Sequence, residues 1–364
     1  MDITLLPSTF FSDPTYNRIL SGLSREFVRA GHRTSIVSQQ ISAGPQLRLN
    51  PGPAPLILTR DCLALAEKER RSALLRALAG QLPPGAVLNF HFSGWLRAWH
   101  APVLLSKRLA RARLVVTFHD YRHPDLPPLT SATRRALGKI LDRAARITAV
   151  SGFLARMIRE DFPVVSDKLN IVPDGTDAPS PSGAAPFTRR RAYILTVGRP
   201  APYKGLDLLI FAFAAAIEKG CACDLVVCGT GRRGPLADLA KKLGIGGRVH
   251  FKGLLPPGEI TALMKACLFY ATTPRWESFG MSALEAMAAG KAVLAAKTGG
   301  LAEFARNGHN AVLVHPENSQ MVSSAILRLC ADKGFRKKLA GGGAATALEY
   351  PWKKIAGRYL SAYR

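Results

Sequence analysis

Acid is what this chain has least of. Its 364 residues carry 25 Asp and Glu against 50 Lys and Arg, a formal net charge of +25. A field of that sign favours anionic partners and disfavours cationic ones. Long apolar runs are also missing. The longest, Leu208–Ile217, has ten residues and is bounded by Asp207 and Glu218, whereas a bilayer-spanning helix needs about 20. The opening Met1-Asp-Ile-Thr-Leu-Leu lacks the basic start and apolar core of a secretory signal. Cysteine is sparse, and Cys62, Cys221, Cys223, Cys228, Cys267 and Cys330 show no CxxC spacing, which argues against a zinc finger or ribbon. They read as reduced, mostly buried thiols of a cytoplasmic protein. Aromatic residues make up 8%. No helix-turn-helix, zinc-finger or aromatic RNA-binding signature accompanies the charge, so specific nucleic acid is not the expected partner.

What is present is more specific. Glu277-Ser-Phe-Gly-Met-Ser-Ala-Leu-Glu285 sets two carboxylates with seven residues between them. Phe279-Gly280 permits a tight turn, and the residues from Met281 onward are good helix formers. Glu277 is therefore expected in a loop and Glu285 about one turn inside a helix. The helix start between them offers unpaired N–H groups and a positive dipole end, which suits a phosphate. Upstream, Tyr193–Val197 reads as a buried strand, followed by Gly198-Arg199-Pro-Ala-Pro-Tyr-Lys204-Gly205 and an apolar helix over Leu206–Ile217. A glycine-bearing turn with two cations between strand and helix is a phosphate-binding arrangement. Arg supplies a rigid bidentate fork and Lys a mobile point charge. Together the two segments suit a nucleotide diphosphate sugar, its phosphates at the helix start and its hydroxyls at the carboxylates.

Along the chain, strands and helices alternate, which predicts parallel, doubly wound α/β sheets. Asp2–Leu6, Thr34–Ser38, Val87–Phe92, Leu114–Phe118 and Ile147–Val150 read as strands, and Tyr16–Ala30 as an amphipathic helix. The Pro/Gly/Ser-rich stretch 178–186 reads as a linker. The expected organisation is a first domain over 1–180, a second over 181–345, and a last helix over 346–364.

These motifs resemble the retaining glycosyltransferases of family 4. Gly198, Arg199, Lys204 and Gly205 match the family's Gly-Arg-x4-Lys-Gly, and Glu277 and Glu285 its Glu-x7-Glu, with Phe279-Gly280 and Glu285-Ala-Met-Ala-x-Gly290 in context. Leu225 to Gly231, Val249 to Gly253, Thr298-Gly299-Gly300 and Asn170 to Asp177 resemble further family segments in the family's order. The resemblance implies a GT-B fold: two Rossmann-like domains facing across a cleft, with the C-terminal helix crossing back to the first. It implies that Arg199 and Lys204 clamp the diphosphate and that Glu285 accepts hydrogen bonds from ribose. Glu277 would hold the transferred sugar, and Gly198, Gly229, Ser278, Phe279, Gly280 and Met281 would complete the donor site. His119, with Asp120 beside it on the acceptor side, would face the sugar. His91 occupies a similar strand end, and His32, His100, His123, His250, His309 and His315 carry no signal beyond loop or surface positions. No Asp-x-Asp metal motif occurs, so no metal or other cofactor is expected.

One departure from the family is the first loop, Pro7 to Tyr16, which has no glycine; hydroxyls of Ser8, Thr9 or Ser12 are the candidate replacements there. Another is Pro274, one position later than usual before Glu277. The basic surplus concentrates between Arg97 and Arg159, with 13 Lys and Arg opposed by Asp120, Asp125 and Asp142. Arg135, Lys139 and Arg143 recur on one face of an amphipathic helix, a candidate for docking on an anionic membrane surface; a solvated basic face is the plain alternative. The expected activity is transfer of a sugar from a UDP- or GDP-sugar to a glycan or lipid-linked acceptor in cell-surface polysaccharide or lipopolysaccharide synthesis. The alternatives are a sugar epimerase or phosphorylase of the same fold, or a non-enzymatic basic binding protein.

Overall fold

The computed structural model describes residues 1–7, 14–38, 56–58, 75, 78–80, 82–94, 96, 100–177, 191–231 and 233–364, without the side chains of 14–17, 38 and 56–58. The expected roles of Ser8, Thr9 and Ser12, the linker 178–186, Cys62 and Arg97 lie outside the described residues. The chain divides into two compact units, Met1–Gly175 with Trp352–Arg364, and Thr176–Pro351.

In the first unit, β1 (Asp2–Pro7), β2 (Arg33–Ser38), β3 (Leu56–Leu58), β4 (Val87–Ser93), β5 (Arg113–Asp120), β6 (Arg146–Ala149) and β7 (Leu169–Ile171) form one sheet. Its order is β3-β2-β1-β4-β5-β6-β7, and every pairing is parallel. The strands are near-continuous apolar runs because a parallel sheet is covered on both faces; β4 is buried at all seven positions. Order reverses between β1 and β4, the kind of place where open α/β sheets take ligands. The helix Trp352–Tyr363 belongs to this unit. Its Trp352 ring fills the space over Gly22 and Gly175, where a Cβ would come within 2.5 and 2.7 Å of ring atoms. Tyr363 Oη accepts from Asn89 Nδ2 at 2.6 Å, joining a buried chain in which Thr148 donates to Thr117 and Thr117 to Asn89.

In the second unit, β8 (Tyr193–Val197), β9 (Asp224–Cys228), β10 (Val249–Gly253), β11 (Phe269–Thr272), β12 (Val293–Ala296) and β13 (Val312–Val314) form a sheet of order β10-β9-β8-β11-β12-β13. All of its pairings are parallel too. The apolar run after Lys204 forms the helix Leu206–Glu218, with Leu209, Ile210 and Phe213 wholly buried. Burying each such side chain stabilises the unit by about 1.5–3 kcal/mol. This run is thus a helix with most of its surface in the core and Phe211 exposed, and among the described residues no helix is long and apolar enough to cross a membrane. Strand order reverses between β8 and β11, so the loops that follow these two strands flank the switch point.

Candidate active site

The β8 loop runs from Gly198 to Gly205 and closes with a 3₁₀ turn, Pro202–Lys204. Gly205, in the left-handed region at φ 61°, starts the helix Leu206–Glu218. The β11 loop carries Glu277 and ends at Gly280, φ 106°, which starts the helix Met281–Ala288. Glu277 therefore lies in the loop and Glu285 is the fifth helical residue, as the spacing predicts. The N-terminal N–H groups of that helix lie between them in sequence.

Glycines let the loops pack backbone on backbone. A Cβ on Gly205 would lie 2.0 Å from Thr273 O, on Gly229 2.0 Å from Gly198 O, and on Gly299 1.8 Å from Glu277 O. No side chain fits such gaps, and all three residues have positive φ. Hydrogen bonds follow the same seams. Gly198 N donates to Cys228 O at 2.9 Å, Gly300 N to Glu277 O at 2.9 Å, and Thr273 Oγ1 to Gly205 O at 2.8 Å. Four successive loops of the sheet, after β8, β9, β11 and β12, are thus locked at its carboxyl edge.

Charge is arranged on this frame. Lys204 Nζ lies 2.7 Å from Glu277 Oε2, an ion pair bridging the two switch-point loops. Burial works to neutralise Lys204, but the Glu277 carboxylate outweighs it and raises the ammonium's pKa above the usual lysine range. Arg199 is exposed and donates to Tyr203 Oη at 2.9 Å. Tyr203 is buried and sits beneath both cations, its ring centroid 5.1 Å from Lys204 Nζ and 5.9 Å from Arg199 Cζ. Phe279 packs on Phe304 and Tyr350 with centroids 5.5 and 6.0 Å away, which leaves its backbone for a ligand. Ser278 is partly buried and Met281 buried.

Tyr203, Arg275 and Asp207 were not legible as site supports. Arg275 grips Asp207 with two bonds of 2.9 and 2.8 Å, reaches Glu317 at 2.9 Å and Pro202 O at 2.6 Å, while its backbone N donates to Tyr203 O at 2.7 Å. This residue follows the displaced Pro274, so the altered loop entry is bolted to the β8 loop. Asp207 at a helix start was the available signal; its partner 68 residues away was not.

Residues 184–345 match the family pattern described as Glycosyl transferases group 1, and residues 17–179 that of Glycosyltransferase Family 4. The D-inositol 3-phosphate glycosyltransferase of Actinosynnema mirum is 30% identical over 74% of this chain and 69% of its own length. The chain belongs to glycosyltransferase family 4. A similarly described enzyme of Acidothermus cellulolyticus is 28% identical over 93% of this chain and 80% of its own length. The fold is that of Anabaena Alr3699/HepE in complex with UDP-glucose, with TM-score 0.76, 21% identity and full coverage of both chains. The two Rossmann-like sheets of this glycosyltransferase are thus a GT-B pair.

In the first unit of the glycosyltransferase, β5 runs two residues further than expected, so His119 and Asp120 lie within the strand. His119 is buried. Its Nε2 lies 2.8 Å from His91 Nδ1 with the rings stacked at 13°, and its Nδ1 lies 3.3 Å from Asp174 Oδ1. The pairing follows from register: His91 opposes Thr117, and His119 is the next residue on the same face. Burial, then the neighbouring His119 charge, push the His91 pKa well below 6.5. Asp120 Oδ2 lies 4.0 Å from His123 Nε2. Because Asp125 N donates to His123 Nδ1, the proton of a neutral His123 sits on the nitrogen facing Asp120.

Three expectations need correction. His100 is neither a loop nor a surface residue: it is buried at the start of the helix His100–Leu104, its ring 5.2 Å from that of Phe90, whereas His123 lies in a loop, though buried. His250 is partly buried and lies 3.1 Å from Asp224. Arg143 is not part of a free basic face. Its guanidinium turns inward and donates to Leu104 O at 2.7 Å and to Leu109 O, satisfying carbonyls of a neighbouring segment. Arg135 and Lys139 remain exposed. Asp161, just beyond the basic stretch, ties down Arg122 and Arg134 at 2.7 and 2.6 Å.

Proposed function

We propose that this glycosyltransferase moves a sugar from a nucleotide diphosphate donor to an acceptor hydroxyl with retention of anomeric configuration. The observation that carries the reading is the Lys204–Glu277 pair, which joins the two loops of the switch point beside the start of the helix Met281–Ala288. A diphosphate seated at that start would meet backbone N–H groups and the cations Arg199 and Lys204, which offset the charge that grows as the sugar–phosphate bond breaks. Glu285 then takes the ribose hydroxyls and Glu277 the hydroxyls of the transferred sugar. Glu277 is already engaged by Lys204, a poor arrangement for a nucleophile. The donor phosphate itself is the better partner for same-face attack.

In the first unit, His119 would face the sugar, with His91 and Asp174 fixing its ring. The donor is UDP- or GDP-linked, and the acceptor a glycan or lipid-linked intermediate of cell-surface polysaccharide or lipopolysaccharide synthesis, met at an anionic membrane surface. The exposed Arg135 and Lys139 favour that surface. No Asp-x-Asp pair is present to hold a divalent ion, and two side-chain cations take its place.

The test is turnover of UDP- and GDP-sugars without added divalent ion, with nucleotide release followed alongside the anomeric proton of the product. Release that requires an acceptor and leaves the donor's configuration unchanged supports the reading. An epimerised sugar formed without acceptor would make the protein an epimerase, sugar phosphate formed from a glycan and inorganic phosphate would make it a phosphorylase, and an inverted product would remove the retaining mechanism.

A further inference from the structure

Three cysteines come together in the second unit, away from the donor loops. Cys221 and Cys223 precede β9, and Cys330 lies in the last turn of the helix Ser319–Ala331. Cys330 Sγ is 3.6 Å from both other sulfurs, and all three lie within 4.8 Å of one another. A point equidistant from sulfurs so spaced lies about 2.1–2.4 Å from each, which brackets the zinc–thiolate length of about 2.3 Å. All three are free thiols, two buried and the third partly exposed, so the cluster is both held and reachable from solvent.

The surroundings hold the two-cysteine segment still. Arg248 Nη2 donates to Cys221 O at 3.2 Å and to Cys223 O, while its Nε pairs with Asp224 Oδ1 at 2.9 Å. His250 closes on the other Asp224 oxygen at 3.1 Å. On the third side, Arg336 Nη1 donates to Cys330 O at 3.0 Å. These bonds hold the backbone that carries the three sulfurs.

We propose that Cys221, Cys223 and Cys330 form a trithiolate site for one thiophilic d¹⁰ cation, zinc or copper(I), that ties the start of β9 to the end of the helix Ser319–Ala331. On binding, each thiol releases its proton to solvent and no electron is transferred. Zinc would add a water as fourth ligand. Soft sulfur donors select these ions over magnesium or manganese. The five residues of β9 place the site about 17 Å from the donor loops at the other strand end. Its role is therefore to anchor the sheet, separate from sugar transfer.

The test uses the full chain, reduced and freed of metal by a chelator. Titration with cadmium alone is read by the ultraviolet thiolate-to-metal band, with zinc and copper(I) as separate competition arms. The expected result is saturation at one ion per chain, displacement by zinc or copper(I), and unchanged behaviour in Cys267→Ser. Arg248→Ala should weaken binding about 10–100-fold, as loss of a group that positions ligands does, and Cys330→Ser by more. No saturable band, or equal binding by Cys330→Ser, overturns the proposal. If Cys330→Ser does not fold, alkylation of wild type decides: one equivalent of cadmium must protect Cys221, Cys223 and Cys330 together, and their continued labelling overturns the site.

Discussion

Lys204 and Glu277, 73 residues apart in sequence, meet at 2.7 Å and tie the two loops that flank the switch point of the second sheet. The pair holds the two loops together without a ligand. Lys204→Met should lower kcat/KM about 10²–10³-fold, as loss of one preorganised charge donor does. Glu277→Gln should lower it too, and the double variant should show coupling of about 0.5–3 kcal/mol. Kinetics on the four proteins check this, and strictly additive losses would show that the two residues act apart.

Glycine at the loop seams is a steric requirement. Gly299→Ala would drive a Cβ into Glu277 O, whereas Gly220→Ala, also at positive φ, meets nothing within 4 Å. Backbone strain alone costs about 1–2 kcal/mol, so Gly220→Ala should lose that much and Gly299→Ala about 1–3 kcal/mol more. Thermal melts compare them, and nucleotide affinity should fall only in Gly299→Ala. Equal melting temperatures for the two variants would contradict the packing account.

Arg275→Lys keeps the charge and loses the bidentate grip on Asp207. Its two side chains are 32% and 41% exposed, so little stability should go with the pair. The β8 and β11 loops should nevertheless lose their mutual position, raising the donor KM about tenfold. Asp207→Asn should do the same, with no further loss in the double variant. A large fall in melting temperature without a change in KM would make Arg275 purely structural.

His91 and Asp161 contribute to the acid side of stability in separate windows. His91 has a folded pKa well below 6.5, so the unfolded chain binds its proton first and stability falls as pH drops from about 6.5. His91→Gln should flatten that slope. For Asp161, burial works to raise the pKa, but hydrogen bonds from Arg122, Tyr121 and Arg134 bring it from 3.8 to about 2. Its contribution is complete above 3.8 and is lost as pH falls to about 2, so Asp161→Asn should flatten only this lower window. Melting temperature against pH for the three proteins separates the two, and an unchanged slope in either variant rules out that group.

The elements that local pattern specifies were legible in the sequence. Tyr193–Val197 appears as the strand the apolar run predicts, and the two helices that start at Gly205 and Gly280 begin where the glycines require. The partners that long-range folding chooses were not. Periodicity placed Arg143 on the same helix face as Arg135 and Lys139, but it cannot show that carbonyls of Leu104 and Leu109 wait beside it. Spacing missed the three thiols for the same reason: Cys330 lies more than 100 residues from the two cysteines it meets. Arg275 looked like one more cation in a basic chain until its place against Asp207 was known.

The most direct test is thermal stabilisation by UDP, GDP, ADP and CMP without metal, on wild type and Glu285→Ala. A ligand at about 100 times its Kd adds about 2.7 kcal/mol, which should raise the melting temperature by several degrees. The expected result is that rise with UDP or GDP in wild type and its loss in Glu285→Ala. No rise with any nucleotide, or an equal rise in the variant, would contradict the donor site placed at Arg199, Lys204, Glu277 and Glu285.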